Sequence, residues 1–244
     1  MKHIKLAILI LTMLAALFSC KKEELRDEKY YYGNLKVSAL NTPDLPDLSV
    51  YYDDDFVGTL KAGSNSYPER TFIVDNKRRV RIYLAPKGDL VADTTITMIR
   101  DKTIELVFAY SELYGISGFT KRLQVSPDSA AVQLYNKLPA SVQPNGTVID
   151  AHLVSYDPNA GGFYDVGIYE DIQRNKFHPK TFLIPALTIA YIELVNRATG
   201  AVITDENGTG QFYFTSGSGA NAVAILNADE TGTGFMFTSA AIDL

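Results

Sequence analysis

The chain has no tryptophan, a single cysteine and three histidines in 244 residues. One cysteine excludes an intramolecular disulfide, so stability has to come from burial of a core. Histidine is scarce enough to weigh against zinc chemistry. A catalytic zinc takes three protein ligands and a water, whereas only His152 and His178 lie beyond the N-terminal segment that holds His3. Apart from Lys77-Arg78-Arg79 there is no basic cluster, and a net charge of −5 does not suit a phosphate backbone. Nucleic acid is therefore not an expected partner. No apolar run reaches the roughly 20 residues that a membrane-crossing helix needs; the longest is about 14.

That apolar run stands at the N-terminus. Lys2, His3 and Lys5 open the chain, Leu6 to Leu11 is apolar, and Met13 to Phe18 continues the stretch. Ser19-Cys20 follows, and the text then turns polar at Lys21-Lys22-Glu23-Glu24. A positive opening, a short apolar core and a small residue before a break in character are the features of a secretory signal. Leu17-Phe18-Ser19-Cys20 resembles the lipobox of bacterial lipoproteins, in which the cysteine becomes the lipidated first residue of the mature chain. The resemblance implies acyl chains on Cys20, and several chains hold a protein firmly to a membrane where one does not. Lys-Lys-Glu-Glu resembles the acidic tag of lipoproteins carried to the outer face of the Bacteroidota outer membrane. The expectation is an outer-membrane, lipid-anchored and cell-surface-facing protein with residues 1–19 removed, Cys20 lipidated and 20–33 as tether.

Beyond the tether the apolar period is two. Leu35, Val37 and Ala39 alternate with polar neighbours. Leu48 to Tyr52, Asp53-Asp54-Asp55 and Phe56 to Leu60 read as strand, turn and strand. Many short strands with turns between them are the mark of a sandwich. Glu112 to Tyr114 and Asp128 to Tyr135 are the two stretches left open to helix.

The second half repeats the first. Leu35-Lys-Val-Ser38 is echoed by Leu123-Gln-Val-Ser126, and Pro68-Glu-Arg-Thr-Phe-Ile-Val74 by Pro179-Lys-Thr-Phe-Leu-Ile184. The expected fold is all-β: two tandem immunoglobulin-like antiparallel β-sandwich domains, 34–118 and 119–244, the second lengthened by an insertion over 145–176. The Leu-x-Val-Ser block, the Ser126-Pro127-Asp128 step and the alternation into Tyr135 resemble the bacterial domain of unknown function 4397. That resemblance implies secreted or lipidated β-sandwich proteins and assigns no activity.

Motifs for chemistry are few. There is no G-x-S-x-G nucleophile elbow, since Gly115-Ile-Ser-Gly118 lacks the spacing. Asp53 and Asp55 share a strand face and suit either calcium or a hairpin tip. Asp205-Glu-Asn-Gly208 reads as a turn. No catalytic residue, metal site or cofactor is assigned. The remaining lead is aromatic. Tyr156, Asp157, Asn159, Phe163 and Tyr164 fall in one segment, and tyrosine beside Asp and Asn suits sugar rings, the ring packing on C–H faces while polar groups take hydroxyls. The expected function is non-enzymatic binding or adhesion with a glycan or envelope-protein ligand. A surface-appendage component and a secreted hydrolase are the rivals.

Overall fold

The computed structural model describes residues 30–40, 42, 44–62, 67–74 and 76–243. The signal segment 1–19, Cys20 and the tether as far as residue 29 lie outside the described residues. Tyr32–Leu244 form one compact unit. Among the described residues its regular elements are all strands. The first eight are β1 (Tyr32–Ala39), β2 (Leu48–Tyr52), β3 (Asp55–Leu60), β4 (Glu69–Ile73), β5 (Lys77–Leu84), β6 (Leu90–Thr97), β7 (Thr103–Ser111) and β8 (Ile116–Thr120). The next eight are β9 (Ser129–Asn136), β10 (Ile149–Asp157), β11 (Gly162–Tyr169), β12 (Lys176–Pro185), β13 (Ile189–Asn196), β14 (Gln211–Thr215), β15 (Asn221–Glu230) and β16 (Phe235–Asp243).

They make four four-stranded sheets: A (β4-β1-β7-β8), B (β3-β2-β5-β6), C (β12-β9-β15-β16) and D (β11-β10-β13-β14). Adding eight to each strand number turns A into C and B into D, so the two halves share one topology. Each half departs from pure antiparallel pairing at one place, where β1 runs parallel to β7 and β9 parallel to β15.

The echo at Pro68 and Pro179 falls on β4 and β12, which are topological counterparts. Leu123 to Ser126, by contrast, lies in the extended link before β9 rather than in a strand. Asn221 holds that link, its side chain accepting from the Leu123 amide at 2.8 Å and donating to the Leu123 carbonyl at 3.0 Å. Residues 145–176 are not an insertion: they hold β10 and β11, the counterparts of β2 and β3. The second half is longer through some of its strands, nine residues in β10 against five in β2, and through the link from β13 to β14, 14 residues against five between β5 and β6.

Three cores order the sheets. Leu48, Val50, Val80 and Ile82 from B pack on Leu35, Val37 and Phe108 from A. Ile149, Leu153, Ile192 and Phe212 from D pack on Val132, Leu134 and Leu226 from C. The third joins the halves: Val107, Ala109 and Ile116 from A meet Tyr135, Val223, Ile225 and Ile242 from C. The layers therefore run B, A, C, D, and in the inner sheets β7, β9 and β15 carry buried residues at successive positions, covered on both faces. This is why Ala130 to Tyr135 looked open to helix. All six residues are buried on β9, and a strand covered on both sides loses its alternation. Val132 and Leu134, both fully buried there, each contribute about 1.5–3 kcal/mol. The outer faces of B and D are left to solvent, with the alternation of half-buried strands.

Candidate functional site

The hairpin joining β10 to β11 is built by its turn. Asp157 accepts from the Asn159 amide on its side chain at 2.8 Å and from the Gly161 amide on its carbonyl at 2.9 Å. Gly161 sits at φ +68°, where a side chain would be strained. This turn sets Tyr156 directly opposite Phe163. The two rings meet edge to face, 5.5 Å between centroids.

Neighbouring strands extend the pair. Phe163 lies 5.5 Å from the Tyr191 ring on β13, and Tyr191 lies 5.3 Å from Tyr213 on β14. One aromatic ring from every strand of sheet D thus joins a single connected row across its outer face. The alternation of β13 and β14 explains the row: Ala190, Ile192, Phe212 and Phe214 point into the core, so Tyr191 and Tyr213 point out. Phe163 and Tyr213 are each about half exposed, at 52% and 51%, which makes the row a surface and not a core.

Polar groups border it. Register places Asp165 and Tyr191 on either side of Val154, and His152 beside Glu193, which in turn faces Gln211. Partial burial raises the Tyr191 phenol above its ordinary value, with Glu193, Tyr213 and Asp165 adding to the effect through their negative charge. The two carboxylates therefore act within reach of the Tyr191 ring. The chemistry on offer is flat apolar contact flanked by hydrogen-bonding carboxylate and amide groups. No covalent chemistry follows from it.

Of the five residues singled out by sequence, the structure brings together Tyr156 and Phe163. Asp157 serves the turn, and Asn159 is exposed at its tip. Tyr164 stands opposite the buried Ser155, so alternation puts it on the other face of the sheet from Phe163. Tyr191, Tyr213, Glu193 and Gln211 were missed. Their alternating strands were visible in the sequence, but which strand lies beside β10 was not.

The remaining candidates are committed elsewhere. Asp53 and Asp55 bond Arg78 and Arg70 at 3.0 and 2.9 Å, and Asp54 pairs with Arg81, so each carboxylate of the β2–β3 tip holds its own arginine. His178 lies within β12. Its Nδ1 accepts from the Lys180 amide at 3.2 Å, which leaves Nε2 to donate to the Glu170 carbonyl at 3.0 Å. Asp205 closes a turn by accepting from the amides of Asn207 and Thr209, each at 2.9 Å. A cleft of about 430 Å³ lies beside the link, lined by Glu105, Val107 and Thr120 to Gln124. A second, of about 330 Å³, is lined by polar residues including Asn145, Asp171 and Arg174. Neither is lined by a histidine.

No protein-family pattern matches the chain, so the resemblance to the 4397 family rests on the residues quoted for it. No curated protein matches either. Solved structures with which it aligns include a family 26 carbohydrate-binding module from Eubacterium rectale in complex with maltoheptaose. That alignment is 12% identical with a TM-score of 0.25, covering 87% of this chain and 97% of the other. A candidate cell adhesion protein from Bacteroides uniformis aligns at 10% identity and a TM-score of 0.21, over 89% of this chain and 98% of the other. A tip fimbrial protein from Porphyromonas gingivalis aligns at 9% identity and 0.26, over 88% and 99%. Similarity at that level carries no functional argument.

Proposed function

We propose that this protein is a non-enzymatic, lipid-anchored cell-envelope module that binds a glycan chain across the outer face of sheet D. The observation that carries the reading is the row Phe163, Tyr156, Tyr191 and Tyr213, one ring from each strand, open to solvent and bordered by Asp165, Glu193 and Gln211. Pyranose rings present C–H faces to aromatic surfaces and hydroxyls to carboxylates and amides. A face that lacks an outward lysine or arginine beside its aromatic row suits an uncharged sugar chain.

The anchor is Cys20, and Lys21-Lys22-Glu23-Glu24 supports export to the outer face of the outer membrane. Residues 32–120 and 129–243, each a pair of sheets, are the two domains of the module. The appendage reading calls for a long unpaired strand edge or an incomplete sandwich; each pair here has four strands in both sheets, while the long strands β12 (Lys176–Pro185) and β16 (Phe235–Asp243) stand at the edges of sheet C. The test is an array of neutral linear polysaccharides probed with the purified protein. Binding by wild type that is lost in Phe163→Ala supports the reading, and no binding to any neutral glycan rejects it.

A further inference from the structure

The outer face of sheet B occupies the place in the first half that the aromatic face of sheet D occupies in the second. It also carries an aromatic cluster at the matching hairpin. Tyr51 faces Phe56 as Tyr156 faces Phe163. The Tyr51 and Phe56 centroids lie 5.5 Å apart, and Tyr83 on β5 packs edge-on to Tyr51 at 5.3 Å. Phe56 is 57% exposed.

The charges differ. Val80 and Ile82 point into the core, so Lys77, Arg79, Arg81 and Tyr83 share the outer face. Lys87 adds its ammonium over the Tyr51 ring, 5.1 Å from the centroid. Against these four cations the face sets two carboxylates, Asp93 on Arg79 and Asp54 on Arg81. It is therefore positive on a chain whose net charge is −5. The two pairs are unequal: Arg79 grips Asp93 through both Nε and Nη2, whereas Asp54 takes a single bond from Arg81. The Asp54 side chain is 96% exposed, and exposed ion pairs contribute at most about 1 kcal/mol. An incoming carboxylate can take the place of Asp54 at little cost. Meanwhile the Arg81 guanidinium stays next to Tyr83, donating to its hydroxyl at 3.3 Å.

We infer that the outer face of sheet B is a second carbohydrate site, for an anionic polysaccharide whose sugar rings lie on Tyr51, Phe56 and Tyr83 while its carboxylates engage Arg81 and Lys87. It does not depend on the sheet D reading, because the two faces close opposite ends of the B-A-C-D stack. At about 10 Å per sheet spacing they are about 30 Å apart. A chain with both sites would tie one polymer to another.

Affinity electrophoresis in native gels containing polygalacturonate, with neutral galactan gels as control, tests this with the purified protein. Wild type should be retarded by polygalacturonate and not by galactan, and added salt should weaken the retardation. Phe56→Ala with Lys77→Ala and Lys87→Ala, three exposed positions, should lower the affinity at least about tenfold while the melting temperature holds. Phe163→Ala on the opposite face should leave it unchanged. No retardation of wild type would overturn the proposal, as would retardation that survives the triple variant. Equal retention by double-stranded DNA would reduce the face to a simple cation exchanger and overturn it too.

Discussion

Thr120 Oγ1, at the end of sheet A, donates to Gln133 Oε1 in the middle of sheet C. Gln133 is only 5% exposed, and its amide donates onward to the His178 carbonyl at 2.8 Å. This bond sits beside the third core, where the tilted rings of Tyr135 and Phe177 meet at 4.8 Å and Val107, Ala109 and Ile116 pack with Val223 and Ile225. The two sandwiches are joined by an apolar interface and not only by a link.

That interface predicts how the second half behaves alone. A fragment of residues 121–244 keeps the core between C and D but exposes Tyr135, Val223, Ile225 and Ile242. It should melt cooperatively, at a lower temperature than the full chain, and should bind a hydrophobic dye. In the full chain Ile225→Asp, at a residue 4% exposed, should cost about 3 kcal/mol or more in denaturant unfolding. A fragment as stable as the whole chain, with no dye binding, would show that the third core contributes nothing.

Two buried phenols predict an alkaline limit. Tyr52 donates to the Pro68 carbonyl at 2.8 Å, and Tyr169 to the Val132 carbonyl at 2.7 Å, each tying one sheet of a sandwich to the other. Burial raises both phenols above their ordinary value, and Glu69 raises Tyr52 further. A raised folded-state value favours the neutral form. The stability they add is therefore fully present below the ordinary phenol value near 10 and is lost progressively as pH rises above it. The melting temperature should hold up to about pH 10 on this account and then fall. Tyr169→Phe should cost about 1–2 kcal/mol at neutral pH and flatten the alkaline fall. An unchanged alkaline profile in that variant would contradict the assignment.

The anchor predicts a fractionation result. Cys20→Ser should abolish acyl labelling and release the protein from the membrane fraction. Protease treatment of intact cells should remove the wild-type domain while a periplasmic control survives. Membrane retention without Cys20 would end the lipid-anchor claim, and protection in intact cells would end the surface-facing one.

The sandwich was legible wherever one face of a strand meets water. Leu35-Val37-Ala39 alternates in the sequence and is a strand in the structure. Ala130 to Tyr135 was legible only in part: the alternation into Tyr135 marked a strand, but burial on both faces blurs that period and left the stretch open to helix as well. The repeat was legible at Pro68 and Pro179, where the same residues begin or run through equivalent edge strands. It was misplaced at Leu123, where a link only resembles a strand. Half the aromatic row could be read. Tyr156 and Phe163 are joined by a short turn, so their pairing is local. Tyr191 and Tyr213 reach them through sheet register, which a single sequence does not carry. Tyr164 was misassigned on local grounds: it neighbours Phe163 on one strand, and successive strand positions point to opposite faces.

The most direct test of the account compares neighbouring residues on opposite faces of one strand. Isothermal titration of the neutral glycan selected on the array should be run against wild type, Phe163→Ala, Tyr213→Ala and Tyr164→Ala. The account predicts that Phe163→Ala and Tyr213→Ala each weaken binding about tenfold, roughly the worth of one stacked ring. Tyr164→Ala should bind like wild type, and all three should keep the wild-type melting temperature within a few degrees. Equal losses in all three variants, or loss in Tyr164→Ala alone, would contradict a binding face on the outside of sheet D.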